Sequence, residues 1–268
     1  MNAKCNNDSV NDTELDINWA PWTGLVAFVD ILGGRGLYLS DEKSDKRKLE
    51  KYSKYIETLN SENLDNRRVL CFSDSIYFVQ EVKIDRKLKG IIPREAIDFF
   101  EVLSKFMTLC MTSQVPIRGG IAYGDIEVLR PAFYNMIKGK TVVQAYELET
   151  IQNWSGIACL PVEYISLRHR EHYSYILDYA MNDWTRKLIF KWFVPINTGV
   201  MELHTLSWHP DCVETAFEKA HQITKKLRED RDEINDPEEL QKLDEKLSKY
   251  PATLAFMELC KKEVGVGE

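Results

Sequence analysis

The feature that most constrains this chain is a single carboxylate inside an apolar run. The segment GLVAFVDIL, residues 24–32, has the composition of a buried β-strand, and Gly33, Gly34 and Gly36 end it. Asp30 lies within that apolar segment. A carboxylate in a buried strand costs free energy unless something positive lies against it. The fold must therefore bring a cation to Asp30.

Length and composition indicate one main domain. A chain of 268 residues, 44% of them hydrophobic, can bury one sizeable core and is short for two full domains. The net charge of -7 argues against a general nucleic-acid partner, because phosphate neutralisation needs excess Lys and Arg. The six cysteines show no C-x-x-C spacing and indicate reduced thiols. With no long apolar stretch, we expect a cytoplasmic protein that has no membrane partner.

The order of the predicted elements favours the α+β class. The first strand is followed by an amphipathic helix over 40–62, a hairpin over 67–82 and a helix over 93–112. Residues 115–129 are then predicted to form strand, turn and strand, and residues 139–154 another helix. This order is typical of a ferredoxin-like β-α-β-β-α-β core sheet, to which extra C-terminal strands and helices are added.

The C-terminal part is predicted to be strands followed by charged helices. SGIACL and RKLIFKWFVPI have the composition of strands, and two helices are expected after about Asp211, divided near Pro237. We therefore expect a disordered segment over 1–19, one main domain over 20–208 and a helical extension over 209–268.

A second aspartate, Asp74, is expected to lie close to Asp30 in the folded protein. Asp74 lies at the tip of the predicted hairpin, and in a ferredoxin-like sheet the first strand lies beside that hairpin. Two converging carboxylates repel each other unless one is protonated or a cation lies between them. Magnesium, which takes oxygen ligands, is the natural cation. Alternatively, Asp74 is only a turn residue.

The glycines after the first strand suggest a phosphate-binding loop. Backbone N–H groups over 31–35, freed by the turn, have the geometry to cradle a triphosphate. A short glycine cluster is also compatible with a plain tight turn.

Four motifs, FVDILG, CFSDSI, IRGGIAYGD and GKTVVQAYELE, resemble in order and spacing the catalytic domain of class III nucleotidyl cyclases, over about residues 22–160. Within that family the chain is most similar to the bacterial pyrimidine cyclases of Pycsar anti-phage defence. The resemblance implies a cyclase catalytic domain over 20–208. It also implies a head-to-tail homodimer whose two active sites are each completed by the partner chain.

The resemblance also assigns the metal ligands. Asp30, Asp74 and the carbonyl of Ile31 would hold two Mg²⁺ or Mn²⁺ ions, which bind the triphosphate and promote formation of a 3′,5′-cyclic nucleotide.

The departures from the family pattern bear on the substrate. Purine cyclases commonly read the base with a lysine and an acidic residue, at positions that are Leu70 and Met136 here. The asparagine and arginine that they place on the last core helix fall on Val143 and Glu147. An adenylate cyclase is thus not expected, and UTP is favoured over CTP as substrate.

Because the asparagine and arginine of purine cyclases are absent, other residues must bind the substrate and neutralise its charge. Candidate cations are Arg118, assigned to catalysis with the two aspartates, and Arg35, Lys138 and Lys140; alternatively, Arg118 only forms a salt bridge with Glu147 or Asp125. Two tyrosines could stack on a pyrimidine or belong to the core. The predicted substrate-binding set is Leu32, Gly33, Gly34, Arg35, Tyr123, Lys140 and Tyr146.

The resemblance therefore implies a pyrimidine nucleotide cyclase whose product activates a separate effector protein. The alternatives are a cyclase-like module that binds without catalysis, a purine cyclase with unusual base readers, and a metal-dependent phosphodiesterase. The motif HREH places His169 and His172 three residues apart, but no third metal ligand is evident, and solvated surface histidines are expected.

Overall fold

The computed structural model of the chain describes residues 18–61, 66–83, 93–130, 136–182 and 187–263. Most of the segment predicted to be disordered, residues 1–17, lies outside these ranges, and residues 18 and 19 begin the first strand. The strands are β1 (Asn18–Ile31), β2 (Arg67–Phe72), β3 (Ser75–Glu81), β4 (Ile117–Arg130), β5 (Ile137–Lys138), β6 (Gly156–Cys159), β7 (Ile189–Ile196) and β8 (Gly199–Leu206). The helices are α1 (Gly34–Leu39), α2 (Lys43–Ser61), α3 (Arg94–Thr112), α4 (Lys140–Ile151), α5 (Leu167–Asn182), α6 (Val213–Glu233), α7 (Pro237–Leu247) and α8 (Tyr250–Glu263).

The strands form one mixed sheet in the order β2-β3-β1-β4-β6-β8-β7, and β5 pairs with β4. The β4–β6 pair is parallel and the other described pairs are antiparallel. Within it, β2-β3-β1-β4 with α2 and α3 as crossovers is the ferredoxin-like core, so the predicted α+β class is confirmed. The C-terminal strands extend that sheet on the β4 side.

The predicted strand, turn and strand over 115–129 is wrong. β4 runs without interruption for 14 residues and pairs with β1 along its whole length, from Ile31 opposite Ile117 to Asn18 opposite Arg130. Its glycines mark close packing rather than a turn: a methyl group at Gly120 would collide with the backbone of α4.

The two faces of the sheet are covered by different helices. Phe78 of β3 contacts Phe106 of α3, with ring centroids 5.4 Å apart. On the other face, Phe28 contacts Tyr146 of α4, with centroids 5.2 Å apart. Side chains alternate between the two faces along a strand, so Asp30, two residues after Phe28 on β1, shares the α4 face with Phe28.

The C-terminal helices pack against the sheet domain and share its core. Ser155, before β6, donates its N–H to Thr253 Oγ1 of α8 at 2.9 Å, and Phe256 belongs to the main hydrophobic cluster. The predicted division at Pro237 is confirmed, because Asp236 caps α7 by accepting the N–H of Glu238. Within the described ranges, none of the helices has both the length and the apolarity needed to cross a membrane.

Candidate active site

Asp30 lies one residue before the end of β1 and is half-buried. In the sheet it is opposite Ser75 of β3 on one side and Arg118 of β4 on the other. The Ser75 hydroxyl donates a hydrogen bond to Asp30 Oδ1 at 2.8 Å. This hydrogen bond helps to orient the carboxylate.

Asp74 is brought to the same place by the turn between β2 and β3. That turn is tight, and Ser73 adopts a left-handed backbone with φ 57°. The Asp74 carboxylate lies against the backbone of α1, so closely that a methyl group at Gly34 would be 2.5 Å from Oδ2. Position 34 thus has room for Asp74 because it is a glycine.

The electrostatics of the pair favour a bound cation. Burial raises the pKa of Asp30, the neighbouring Asp74 raises it further, and the Ser75 hydrogen bond and Arg118 act in the opposite direction. A carboxylate whose charged form is disfavoured in this way is stabilised by a positive ion.

The side chains present fit a hard divalent ion. Asp30 and Asp74 offer carboxylate oxygens, and among the described residues no group of three or more His, Cys, Asp or Glu side chains could complete a metal site. An ion bound here would take its remaining ligands from backbone carbonyls such as that of Ile31, from water and from phosphate oxygens. That is the coordination that Mg²⁺ prefers in phosphate-transfer sites.

Arg118 has a different ion-pair partner from the two that were predicted. It does not pair with Glu147 or Asp125: its Nε donates to Glu149 Oε1 at 2.6 Å, and its Nη1 donates to the Gln152 carbonyl at 2.6 Å. Glu149 faces β4 because α4 packs closely over Gly120. Arg118 is thereby fixed, and it acts on Asp30 as a neighbouring positive charge.

The loop after β1 has the predicted turn. Gly33 adopts φ 79°, which favours glycine, and α1 starts at the next residue. The Leu32 N–H donates to the Pro116 carbonyl at 2.9 Å, so this N–H is not free to bind a phosphate. The backbone of Arg35 belongs to α1, and its side chain lies outside the described part of the chain.

Of the two predicted tyrosines, only Tyr146 lies near the carboxylates. It is 46% exposed on α4 and contacts Phe28, two residues before Asp30. The structure does not bring Tyr123 to this site. It is on the opposite face of the sheet, 2% exposed, and stacked on Tyr173 with centroids 5.8 Å apart; burial raises its pKa to about 12.

The predicted lysines lie at the other end of the sheet. Lys140 begins α4, and the next residue, Thr141, donates its hydroxyl to the Asp125 carbonyl at 2.8 Å. Lys138 forms a salt bridge with Glu127 at 2.8 Å. Within one chain neither lysine is close to Asp30.

The expectation of surface histidines is wrong for His169. It is buried on α5, and its Nε2 lies 2.9 Å from Asp125 Oδ1, while the other carboxylate oxygen of Asp125, Oδ2, forms an ion pair with Arg168. Burial and, to a lesser extent, Arg168 lower the pKa of His169. A cavity of about 830 Å³ borders this cluster, which includes Thr23.

Several residues of the site were missed from the sequence. Ser75 and Glu149 contact the predicted residues directly, and Tyr38 of α1 donates its hydroxyl to the Ser73 carbonyl at 3.3 Å. Ser75 had a detectable signal, since it follows Asp74 in the SDS turn. Glu149 and Tyr38 had none, because their contacts depend on how helices pack.

Comparisons with known proteins found solved structures of cyclase domains that are similar to this chain at low sequence identity. No protein-family model matches the chain, and no curated protein matches it. Among solved structures, the adenylyl cyclase CyaB from P. aeruginosa is similar, with 14% identity, a TM-score of 0.48, and 72% of this chain and 97% of that chain covered.

Two further structures are similar to a comparable extent. The catalytic core of a rhodopsin-guanylyl cyclase with converted specificity in complex with ATPαS has 13% identity and a TM-score of 0.46, covering 71% of this chain and 99% of that one. The non-canonical dimeric guanylyl cyclase domain of the RhoGC fusion protein from the aquatic fungus Blastocladiella emersonii has 12% identity and a TM-score of 0.45, covering 71% and 97%. By their names these neighbours are adenylyl or guanylyl cyclases, and none of the three is named as a pyrimidine cyclase.

Proposed function

We propose that this chain is a nucleotidyl cyclase that converts a pyrimidine nucleoside triphosphate, UTP in preference to CTP, to its 3′,5′-cyclic monophosphate and pyrophosphate. The observation that carries the proposal is the Asp30 and Asp74 pair, in which burial and the neighbouring Asp74 carboxylate disfavour the charged form of Asp30 in the absence of a cation. The proposed catalytic domain spans residues 20–208.

The chain's own residues would position the reacting groups. Asp30, Asp74 and the Ile31 carbonyl hold the metal ions, Ser75 orients Asp30, and Gly34 leaves room for Asp74. Two Mg²⁺ or Mn²⁺ ions, when bound, would lower the pKa of the ribose 3′-hydroxyl and stabilise the leaving pyrophosphate. The 3′-oxygen then forms a bond to the α-phosphorus as the bond to the β-phosphate oxygen breaks.

The preference for a pyrimidine is supported by the two positions where purine cyclases read the base. Leu70 is 2% exposed and Met136 is exposed but apolar. Leu70 has no hydrogen-bonding group and the Met136 thioether is only a weak acceptor, whereas discrimination between bases depends on well-placed donors and acceptors. Pyrophosphate release measured separately with UTP, CTP, ATP and GTP tests this part of the proposal; turnover of ATP or GTP at the UTP rate would contradict it.

A head-to-tail homodimer is supported by the distance between the two predicted halves of the site. Asp30 is opposite Arg118, whereas Thr23 is opposite Asp125, which contacts the start of α4. Seven residues of strand separate these points, roughly 23 Å at about 3.3 Å per residue. Lys140 can therefore reach Asp30 only from a partner chain.

Exposed apolar residues on the same face fit such an interface. Phe72 and Val143 are more than half exposed, and Tyr146, which contacts Phe28, is 46% exposed. Complementation tests this arrangement: two inactive variants, Asp30→Ala and Lys140→Ala, are mixed. In a head-to-tail dimer the mixture regains activity, because one of the two sites contains both native residues. Failure to regain activity, with both variants folded and dimeric, would contradict the shared site.

A cyclase-like module that binds nucleotide without catalysis is the second candidate. One observation favours it: Arg118 is fixed by Glu149 and by the Gln152 carbonyl, while Val143 and Glu147 occupy the positions of the expected asparagine and arginine. Calorimetric titration distinguishes the two candidates. Tight UTP binding that survives Asp30→Ala, without product formation by the native chain, would favour the binding module.

The resemblance to pyrimidine cyclases extends the proposal to anti-phage defence, with the cyclic product activating a separate effector protein. Bacteria carrying the native chain and its neighbouring genes would resist phage, and those carrying Asp74→Ala would not. Equal resistance with both chains would contradict the defence role. The cyclase proposal would then be tested separately, on the pure protein.

A further inference from the structure

A cavity of about 320 Å³ lies behind the loop that follows β1. On one side it is lined by the end of β1 and its loop, residues 31–33, which include the proposed metal-binding carbonyl. On the opposite side it is lined by Lys226 of α6, Lys246 of α7 and Lys249, which lies between α7 and α8. The C-terminal helices therefore reach the immediate surroundings of the candidate active site.

The lining of this cavity is positively charged although the chain as a whole is acidic. Among the described residues four lysines and two aspartates line it, which leaves an excess of two positive charges. Lys48 is already paired with Asp45 at 2.7 Å, so the excess belongs to the lysines of the C-terminal helices. In a chain with a net charge of -7, this local excess attracts an anion.

Lys249 is the most informative of these lysines. It is half-buried, and in the part of the chain that the structure describes it forms no ion pair within 4.0 Å. Burial and the nearby Arg118 lower its pKa, against a smaller opposing effect of Glu245 and Glu149. Glu149 already compensates the Arg118 guanidinium, whereas Lys249 has no paired carboxylate among the described residues. An anion would therefore stabilise its partly buried ammonium group.

We propose that the C-terminal helices form part of a polyphosphate-binding site, with Lys226, Lys246 and Lys249 as its cations. The inference rests on the proposed function and deepens it. The ligand is either the β- and γ-phosphates of the nucleotide substrate or a free polyphosphate such as the pyrophosphate product. Such a site would give the C-terminal helices a role in binding. Their lysines would supply positive charge that purine cyclases obtain from the arginine on the last core helix, where this chain has Glu147.

The test uses inorganic tripolyphosphate as the probe, titrated calorimetrically into the full chain without metal. The variants are Lys226→Gln/Lys246→Gln and, separately, Lys249→Met. The matched control is Lys225→Gln/Lys242→Gln, which removes the same charge from the same two helices outside the cavity. We expect both cavity variants to bind the probe at least about tenfold more weakly, and the control to match the native chain.

Equal binding by the native chain, both cavity variants and the control would overturn the inference, whether or not the chain is a cyclase. Asp74→Asn separates the two claims, because it removes a proposed metal ligand and leaves the lysines intact. It should abolish turnover and keep metal-free tripolyphosphate binding. The KM for UTP distinguishes the two ligand sources: it rises in Lys226→Gln/Lys246→Gln if the cavity holds the nucleotide's phosphates, and is unchanged if it holds a free polyphosphate.

Discussion

Replacing Gly34 with alanine should disable the metal site without unfolding the protein. The new methyl group would lie 2.5 Å from Asp74 Oδ2 and 3.0 Å from its Cβ, whereas ordinary contact begins at 3.4 Å. The carboxylate would have to retreat by about 0.9 Å. Misplacement of a catalytic group by about 1 Å can cost on the order of 100-fold in rate.

Gly36→Ala is the matched control. It is also in α1, and a methyl group there would meet nothing within 4 Å. Alanine favours helix over glycine by about 1 kcal/mol, so neither variant should lose helix stability from the substitution itself. Only Gly34→Ala moves Asp74.

The assay is pyrophosphate release from UTP with saturating Mn²⁺, together with calorimetric Mn²⁺ titration and thermal unfolding. We expect Gly34→Ala to lose about 100-fold in kcat/KM and to bind Mn²⁺ more weakly, while Gly36→Ala behaves as the native chain. If Gly34→Ala were folded and as active as Gly36→Ala, the position of Asp74 against α1 would be irrelevant to catalysis, and the reasoning would be refuted.

Three further predictions concern stability and pH. Asp30→Asn should raise the melting temperature of the metal-free protein at neutral pH, because the pKa of Asp30 is raised in the folded state and its charged form therefore costs stability. This gain should vanish as the pH falls to 3.8, the ordinary pKa of an aspartate, and a gain that stayed constant at all pH values would contradict the prediction. Arg118→Met should lower the free energy of unfolding by about 3 kcal/mol in urea titrations, since Glu149 is only 3% exposed, and adding Glu149→Leu should recover most of the loss. Gln152→Leu removes a fully buried amide with three hydrogen bonds and should cost about 2 kcal/mol or more. Gln144→Leu removes only a solvent-exposed hydrogen bond to the Tyr164 carbonyl and should cost under about 0.5 kcal/mol; equal costs would be inconsistent with the buried network.

The core of the fold could be predicted from local patterns. The apolar run ending at Asp30, the hairpin carrying Asp74 and the helices at 43–61 and 94–112 each have a pattern that is complete within its own segment. Their order then restricts the sheet to few topologies, and the ferredoxin-like one places the two carboxylates together. The juxtaposition of Asp30 and Asp74 thus followed from short-range signals.

The wrong placement of Tyr123 at the carboxylate site arose from a wrong local prediction, a turn within β4. An assumed turn within residues 115–129 concealed the alternation of side chains along β4. In an uninterrupted strand Arg118 and Tyr123 are an odd number of residues apart and must face opposite sides, which excludes Tyr123 from the carboxylate site. The glycines that suggested a turn are there because α4 and β1 pack closely against β4.

Other contacts were unpredictable because they join distant segments. Arg118 meets Glu149 through the packing of α4, and His169 is buried against Asp125 through the packing of α5. The approach of Lys249 to the loop after β1 depends on how three C-terminal helices fold back. None of these pairs has a spacing pattern that could be recognised in the sequence.

The most direct test of the central claim is identification of the product. The native chain and Asp74→Ala are each incubated with UTP, CTP, ATP and GTP and Mn²⁺, and the products are separated by liquid chromatography and identified by mass. We predict cyclic UMP, with less cyclic CMP, from the native chain and no cyclic nucleotide from Asp74→Ala. Absence of any cyclic nucleotide from the native chain, or the same product from Asp74→Ala, would contradict a pyrimidine cyclase built on the Asp30 and Asp74 pair.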